Sequence, residues 1–232
     1  MKLQKETDRE NSVTSGRHGK WYDDACGTAF ALELVGERWS LLIVRELMFG
    51  GRRFSDLRGG LPGISAKVLT ERLDGLEKAG IVQRRQLPPP AATQVYELTP
   101  WGYQAEEAIK ELGRWAARSP LHDPTLPLSA ASLMMSFRTM FDSEKAKGMD
   151  LSGALTIGGE PFRVQVADQH LTAERGEVAE PDFSLSAPAA MPIAALVYGK
   201  ANPEAVPGLE VSGDRDQLAR FVDCFHLPEK AP

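Results

Sequence analysis

The sequence predicts a chain of mixed α and β structure divided into two units. Helical and strand-like segments follow one another in residues 52–100, and again in residues 154–225. Three prolines fall within residues 119–129, between the two. The charge also divides there: residues 1–118 hold 18 basic and 16 acidic side chains, net +2, and residues 119–232 hold 9 and 16, net −7. We therefore predict an N-terminal α+β unit and a C-terminal α+β unit with a curved sheet covered by helices.

The predicted boundaries follow from composition. Residues 1–20 are polar and lack large apolar side chains apart from a few near the start, which predicts a disordered tail before a folded unit at residues 21–118. A linker at residues 119–129 then leads to a second unit at residues 130–232. A hydrophobic content of 42% and a charged content of 25% are typical of soluble globular proteins. No apolar run approaches the roughly 20 residues of a membrane span, so the expected location is cytoplasmic, without membrane contact.

The first unit begins with two predicted helices. Residues 25–35 follow a capping aspartate, Asp23 or Asp24, and end at Gly36. Residues 38–49 offer a core face made by Trp39, Leu42, Ile43 and Leu47. A short helix is expected at residues 54–58.

A longer helix follows and has clear ends. Ser65 is a good N-cap, Gly80 suits the position after the helix, and Ile64 can pack on Leu69. An apolar stripe at spacings of four and three marks the face turned to a core: Leu69, Leu73 and Leu76. Charged side chains, Lys67 and Glu71 among them, occupy the opposite face.

Two strands are predicted next, at residues 81–86 and 94–98, with a proline-containing tip at residues 87–93. A helix–turn–helix followed by a basic hairpin is the layout of a winged helix, in which the second helix enters the DNA major groove. Residues 52–85 hold eight basic and four acidic side chains, which agrees with phosphate contact. The alternative is a solvated helical hairpin with ordinary surface charges.

A family resemblance is carried by ERWSLLIVRELMFGGRRFSDLRGGLPGISAKVLTERLDGLEKAGIVQRR and then VYELTPWG. These segments resemble the HxlR-type branch of winged-helix transcription regulators, which is related to the MarR group. The resemblance spans residues 23–119 and includes Cys26, although Gly27 stands where the family often has proline. It implies a regulator that binds double-stranded DNA as a homodimer, on an inverted-repeat operator.

The DNA contacts divide by expected geometry. Side chains near the start of the longer helix would meet base edges, with lysine suited to guanine and glutamate to cytosine: Ser65, Lys67, Thr70 and Glu71. Other basic side chains would meet phosphates or, in the hairpin, the minor groove: Arg53, Arg72, Arg84 and Arg85. Arg72 could instead form an internal ion pair.

Thr99 and Pro100 mark the start of another helix, expected over residues 101–117. Its apolar side includes Ile109, Leu112 and Trp115, which the first unit cannot cover entirely. One interpretation is a dimer interface formed with the first helix of a second copy, as in the resembled family. The other is packing onto the C-terminal unit.

The second unit is predicted to contain helices at residues 133–141, 188–198 and 217–225 and strands at residues 154–157, 162–167, 171–175, 183–186 and 209–212. The segments PDFSLSAPAAMPIAALVYGKANPEAV and LEVSGDRDQLARFVDCF resemble the sterol-carrier-protein type of lipid-binding domain, over residues 130–227. Such domains enclose an apolar cavity, which implies a small apolar or acyl ligand. The candidate lining is Met191, Ile193, Ala194, Leu196, Val197, Phe221 and Phe225; the alternative for each is ordinary core packing.

No catalytic constellation, metal-ligand set or cofactor motif is apparent, because the four histidines are scattered and the glycine pairs fit turns only. The two cysteines lack metal or disulfide spacing. Cys26 lies near a helix start, which favours its thiolate, so it is a candidate redox sensor; the alternative is a small buried interface residue. We predict a transcription regulator, not an enzyme, controlled by a ligand in the C-terminal unit. The alternative is a lipid or acyl-compound carrier or enzyme that uses its winged helix mainly for dimerisation.

Overall fold

The structure, a computed structural model, describes residues 22–232, and the predicted tail of residues 1–20 lies outside them. The N-terminal elements are helices α1 (Gly27–Val35), α2 (Ser40–Leu47), α3 (Phe54–Gly60) and α4 (Ala66–Lys78), strands β1 (Val82–Gln86) and β2 (Gln94–Leu98), and helices α5 (Pro100–Tyr103) and α6 (Glu106–Ala117). In this described part, no helix has both the length and the hydropathy needed to cross a membrane.

The helix–turn–helix core is built from the apolar stripes of α2 and α4. Ile43 and Leu47 of α2 are fully buried. The three leucines of the α4 stripe are at most 1% exposed. The β1–β2 hairpin is antiparallel, with Val82 opposite Leu98, and both side chains are buried at its base. The α4 apolar stripe thus holds one face of the helix in the core and leaves the other outward.

Two N-terminal helix predictions need correction. The α1 helix begins at Gly27 rather than at residue 25, because Asp24 Oδ1 accepts a hydrogen bond (2.9 Å) from the Cys26 backbone N–H in a turn before the helix. The helix expected over residues 101–117 is two helices. The backbone N–H of Ala105 donates to the carbonyl of Gly102, three residues back, which interrupts the α-helical pattern. Gly102 packs so closely on the carbonyl of Ile81 that a Cβ would lie 2.2 Å from that oxygen.

The C-terminal elements are α7 (Ala130–Met140), β3 (Leu151–Ile157), β4 (Glu160–Ala167), β5 (His170–Arg175), β6 (Phe183–Ala187), α8 (Ala190–Val197), β7 (Glu210–Gly213) and α9 (Arg215–Asp223). The five strands form one sheet in the order β5-β4-β3-β6-β7. Strand β3 is parallel to β6, and the other neighbours are antiparallel. Every element predicted for this half is present, with boundaries shifted by a few residues.

Helices α7, α8 and α9 cover one face of this sheet, and alternate residues of β3, β4 and β6, which point to that face, are therefore buried. Phe137 of α7 lies at the centre of an aromatic cluster, with ring centroids 4.9 Å from Phe225 and 5.9 Å from Phe221. Gly153 of β3 leaves room for the ring of Phe183, since a Cβ there would lie 2.4 Å from that ring. This half therefore has a densely packed aromatic core.

The two halves share one continuous hydrophobic core. Helix α7 packs against α2 and α6, and the ring of Phe49 packs edge-on against Phe162 with centroids 6.2 Å apart. Arg52 donates two hydrogen bonds of 2.8 Å to the carboxylate of Glu160, which also pairs with Arg175. The N-terminal and C-terminal halves, on either side of residues 119–129, are therefore in direct contact.

The pKa of Glu160 reflects this junction. Burial would raise it, but hydrogen bonds from Arg52 and Arg175 outweigh burial and hold the pKa below its ordinary value. The ionised carboxylate therefore stabilises the folded protein above the ordinary pKa, about 4.3, and this contribution is lost as the pH falls through the lowered pKa.

We expect Glu160→Gln to lower the free energy of unfolding at pH 7 by about 1–3 kcal/mol, a range reduced from that of fully buried pairs because Glu160 is partly exposed. Urea unfolding at pH 7 and at successively lower pH measures this, and the two proteins should converge as the pH falls through the lowered pKa of Glu160. Glu174→Gln, which breaks an exposed pair with Arg163, is the matched control. An equal loss in both variants at neutral pH would contradict a special role for the junction.

Candidate nucleic-acid interface and ligand cavity

The start of α4 is the centre of the candidate DNA interface. Ser65 is its N-cap, and the Ser65 Oγ accepts a hydrogen bond (3.2 Å) from the Val68 backbone N–H. Its hydroxyl hydrogen can still be donated outward. Gly80, with a φ of 72°, ends the helix in the left-handed conformation that its sequence position predicts. Both ends are thus fixed by local sequence.

The outward face of α4 carries the residues predicted to meet base edges. The side chain of Lys67 is 86% exposed and lies 3.9 Å from Glu71, a weak i,i+4 pair. Thr70 donates its hydroxyl hydrogen to the carbonyl of Ala66 (3.0 Å), so its methyl group and oxygen lone pairs remain available. This face can therefore present an ammonium, a carboxylate and a methyl group to a groove.

The arginines predicted to contact phosphates differ in whether they already pair with other groups of the protein. Arg53 is exposed at the start of α3. Arg72 has the internal ion pair that the sequence left open, since it binds Glu37 (2.9 Å) and donates to the carbonyl of Arg38.

In the hairpin, Arg84 pairs with Asp74 (2.6 Å) and Glu77 (3.0 Å), and Arg85 pairs with Glu97 (2.7 Å). Both hairpin arginines remain exposed. A phosphate would have to replace these carboxylates, and such exchange is inexpensive at exposed positions.

Comparison with known proteins agrees with this geometry. Residues 34–122 match the family described as HxlR-like helix-turn-helix. A transcriptional regulator named YvaP from Bacillus subtilis is 37% identical over 86 residues, which span 37% of this chain and 80% of YvaP. The chain belongs to the HxlR-like helix-turn-helix family. This membership supports a DNA-binding transcriptional regulator.

Other HxlR-like relatives have similar extents of match. The B. subtilis transcriptional regulator YodB is 40% identical over 86 residues, 37% of this chain and 77% of YodB. The Escherichia coli regulator YtfH is 35% identical over 99 residues, 43% of this chain and 79% of YtfH. A solved structure of reduced YodB aligns at a TM-score of 0.38 and 36% identity, covering 42% of this chain and 98% of that one. The family match ends at residue 122, so it does not describe most of the C-terminal half.

Cys26 is exposed at the N-terminus of α1, before the residues that the family match covers. Backbone hydrogen bonds from Thr28 and Ala29 lower the pKa of its thiol. Cys224 differs, because burial raises the pKa of that thiol to about 11. Its Sγ packs 3.6 Å from the sulfur of Met149. Cys26 is therefore the more reactive thiol of the two.

We expect iodoacetamide to modify Cys26 in the folded protein well before Cys224. Because its pKa is lowered, the labelling rate of Cys26 should rise with pH to a midpoint below that of an unperturbed cysteine thiol. Mass spectrometry at several pH values measures this, and Cys26→Ser should remove the fast phase. Equal rates at both cysteines would contradict it.

Apolar side chains remain exposed on two helices of the N-terminal half, α1 and α6. None of the α1 side chains is fully buried, and Leu32 is 49% exposed. On α6, Trp115 is 73% exposed and Leu112 is also exposed, whereas Ile109 packs against the core. Ile109 therefore packs with the shared core, whereas Leu112 and Trp115 remain exposed in the single chain.

An apolar cavity of about 810 Å³ lies between the two halves, and we call it the interdomain cavity. Its wall is formed by α2, α6, α7, α8 and residues 122–128 of the linker, and includes Leu42, Ile109, Leu112, Met135, Met191 and Tyr198. Leu42 faces this cavity, although its spacing predicted the helix–turn–helix core. The volume is in the range of small-molecule sites, about 300–1,000 Å³.

The predicted ligand-pocket residues divide between this cavity and the core. Met191 and Ala194 line the interdomain cavity, and Leu196 borders a smaller cavity of about 310 Å³. The other four are fully buried in core packing, the alternative that the sequence left open: Ile193, Val197, Phe221 and Phe225. Within residues 22–232, no group of three or more histidine, cysteine, aspartate or glutamate side chains is arranged to hold a metal ion.

Sequence reasoning missed Arg45 and Glu46, which lie at the junction of the halves. Glu46 is buried, pairs with Arg45 (2.8 Å), and accepts a hydrogen bond from Ser129 of the linker (2.7 Å). A charged pair in the last turn of an apolar helix was the available signal, because a buried charge needs a partner.

Proposed function

We propose that this protein is a dimeric transcriptional regulator that binds an inverted-repeat operator in double-stranded DNA and is controlled by a small apolar or acyl ligand. The observation that carries the DNA part is α4. Its leucine stripe is buried while Lys67 and Glu71 face outward, beside a hairpin with two exposed arginines. Membership of the HxlR-like family supports the same role.

The dimer part is supported by exposed apolar surface. Leu32 on α1 and Trp115 on α6 are large side chains that water surrounds in the single chain. Packing α1 of one copy against α6 of another would cover both. A two-fold dimer would place its two α4 helices on half-sites about one helical turn apart.

The ligand part is supported by the C-terminal half and the interdomain cavity. The order of elements in this half supports the proposed sterol-carrier-like unit, because β6 is followed by apolar α8, then Tyr198, Gly199 and Lys200, and then β7 and α9. Lys200 donates to the carbonyl of Phe225 (2.8 Å), which fixes the end of α8 against the residues after α9. We propose residues 21–118 as the DNA-binding and dimerisation unit, residues 119–129 as the linker and residues 130–232 as the sterol-carrier-like unit.

Cys26 is proposed as an oxidant or electrophile sensor in addition. Its exposure and lowered thiol pKa support this role. Modification at the start of α1 would lie beside the surface proposed for the dimer, and so could alter DNA binding.

Binding to random-sequence DNA at increasing salt tests the central proposal. A protein that neutralises several phosphates should lose about 10³-fold or more in affinity between about 50 and 200 mM salt. The second candidate, a carrier or enzyme that uses its winged helix mainly for dimerisation, is favoured by the cavity volume alone. It requires no DNA affinity, so absent or salt-independent binding would favour it over the regulator.

A further inference from the structure

The interdomain cavity has a composition that selects apolar ligands. Leucine, isoleucine and methionine side chains come from both halves of the chain, with Ile109 and Leu112 on one side and Met135 and Met191 on the other. The small residues Gly113 and Ala195 leave the space open on opposite walls. A ligand here would therefore contact both halves at once.

One polar group in the cavity wall, the guanidinium of Arg45, has an N–H without a hydrogen-bond acceptor in the described part of the chain. Arg45 lines the cavity, and its Nη2 pairs with Glu46. Its Nε–H is buried and has no hydrogen-bond partner among residues 22–232. A buried N–H without an acceptor is costly and uncommon in folded proteins. Arg45 lines the cavity through other atoms of its side chain, so a small shift of the guanidinium would present this N–H to the cavity, where a carbonyl or carboxylate oxygen on a ligand would supply the acceptor.

A second polar pair lies on the wall beyond Met135. The hydroxyl groups of Tyr198 and Ser136 are 2.8 Å apart, and the Ser136 hydroxyl is also bonded to the Leu133 carbonyl (2.8 Å). Burial raises the pKa of Tyr198, while its hydrogen bond with Ser136 partly opposes this, so the phenol remains protonated. The pair is satisfied within the protein, which leaves Arg45 as the group that calls for a ligand.

The cavity is directly connected to the candidate DNA interface through α2. Leu42 and Arg45 of α2 line the cavity, whereas Ile43 and Leu47 lie in the core that α4 shares. Helix α2 packs against both α4 and α7. A ligand that displaces α2 would therefore also move the support of α4.

The outer edge of the cavity is formed by the linker and the C-terminal segment. Residues 122–128 and Leu227 line it. Lys230 donates to the carbonyls of Ala117 and Ser119 (both 3.0 Å), and the Ala231 N–H donates to the Arg118 carbonyl (2.7 Å). These bonds hold the two segments together at the surface, beside the open side of the cavity where Leu42 and Leu112 are exposed.

We propose that the interdomain cavity binds a small, mainly apolar molecule that carries one carboxylate or carbonyl group, with that oxygen accepting from Arg45 Nε. The site lies between the two halves rather than within the C-terminal half. This inference rests on the proposed ligand control and specifies its location and chemical class.

The test uses the full-length protein with decanoic acid and decanol as probes, measured by isothermal titration and thermal shift. Decanoic acid should bind and should stabilise the protein. Gly113→Trp and Ala195→Trp fill the cavity from opposite walls, and each should weaken binding at least about tenfold. A Cβ at residue 113 has 3.9 Å to its nearest neighbour, Thr139, so the substitution has room. Ala116→Trp places the same bulk at an exposed position of α6 and should leave binding unchanged.

The acceptor is tested separately. Arg45→Gln combined with Glu46→Gln removes both charges of the pair, so no buried charge is left alone. The preference for decanoic acid over decanol should then fall about tenfold. Circular dichroism confirms that each variant is folded. Unchanged binding in both folded tryptophan variants, or no binding of either probe by the natural protein, would overturn the proposed site; an unchanged preference in the double variant would overturn the role of Arg45.

DNA retention is measured on the natural protein alongside the probe titrations. Absence of DNA binding with intact probe binding would count against the proposed regulator and support the cavity. Intact DNA binding without probe binding would support the proposed regulator and count against the cavity site. The experiment therefore distinguishes failure of one proposal from failure of the other.

Discussion

Replacing Leu32 and Trp115 together with glutamate should convert the protein from a dimer to a monomer and lower its affinity for its specific DNA site by about 100-fold or more. Both side chains are exposed in the single chain, so the change should not disrupt its core. In the proposed dimer, each carboxylate would be buried without a partner, which costs several kcal/mol. Large aromatic side chains such as tryptophan also commonly dominate interface energies.

Light scattering and electrophoretic mobility shift measure the two effects. The control is Ala205→Glu with Ala219→Glu, which adds the same charge at exposed positions of the C-terminal half. Both variants should have the far-ultraviolet circular dichroism of the natural protein. A Leu32/Trp115 variant that remains dimeric would place the interface on other surfaces.

The second large effect concerns recognition by α4. Lys67→Ala should weaken binding to the specific site by about 1–3 kcal/mol and random-sequence binding much less, because a lysine at a base edge contributes sequence discrimination. Stability should change by less than about 0.5 kcal/mol, since the Lys67 side chain is 86% exposed and its pair with Glu71 is weak.

Lys147→Ala removes an equal charge from an exposed site in the C-terminal half and serves as the control. Titrations of specific and random DNA with both variants provide the comparison. If Lys67→Ala and Lys147→Ala reduce binding to both DNAs alike, Lys67 contributes only general charge and the predicted orientation of α4 is wrong.

Much of the N-terminal half could be predicted because its signals are local. Ser65 caps α4, Gly80 ends it, and Thr99 caps α5 as its sequence position indicates. These residues act through hydrogen bonds and φ values within a few positions, so one sequence is sufficient. The leucine stripe of α4 is similarly explicit.

Features that depend on distant partners could not be predicted. Leu42 has the spacing of a core residue but faces the interdomain cavity, because α7 and the linker supply the opposite wall. Arg52 reads as part of a basic DNA surface, yet it binds Glu160, 108 positions away. The break between α5 and α6 depends on the close approach of Gly102 to Ile81. None of these has a local pattern.

In the C-terminal half, alternation and apolar content predicted the strands and helices but not which apolar residues would border open space. Phe221 and Phe225 pack with centroids 4.8 Å apart, while Met191 of the same half lines the cavity. Both kinds of residue have the same hydrophobic signal. Only the arrangement of α8 against α6 and the linker separates them.

Selection of bound sequences from a random duplex DNA library by the full-length protein tests the central claim most directly. The account predicts enrichment of an inverted repeat whose half-sites are about one helical turn apart, and predicts that Lys67→Ala alters or relaxes the preferred bases within each half-site. Enrichment of no common sequence by the natural protein, or of a site that Lys67→Ala leaves unchanged in both sequence and affinity, would contradict it.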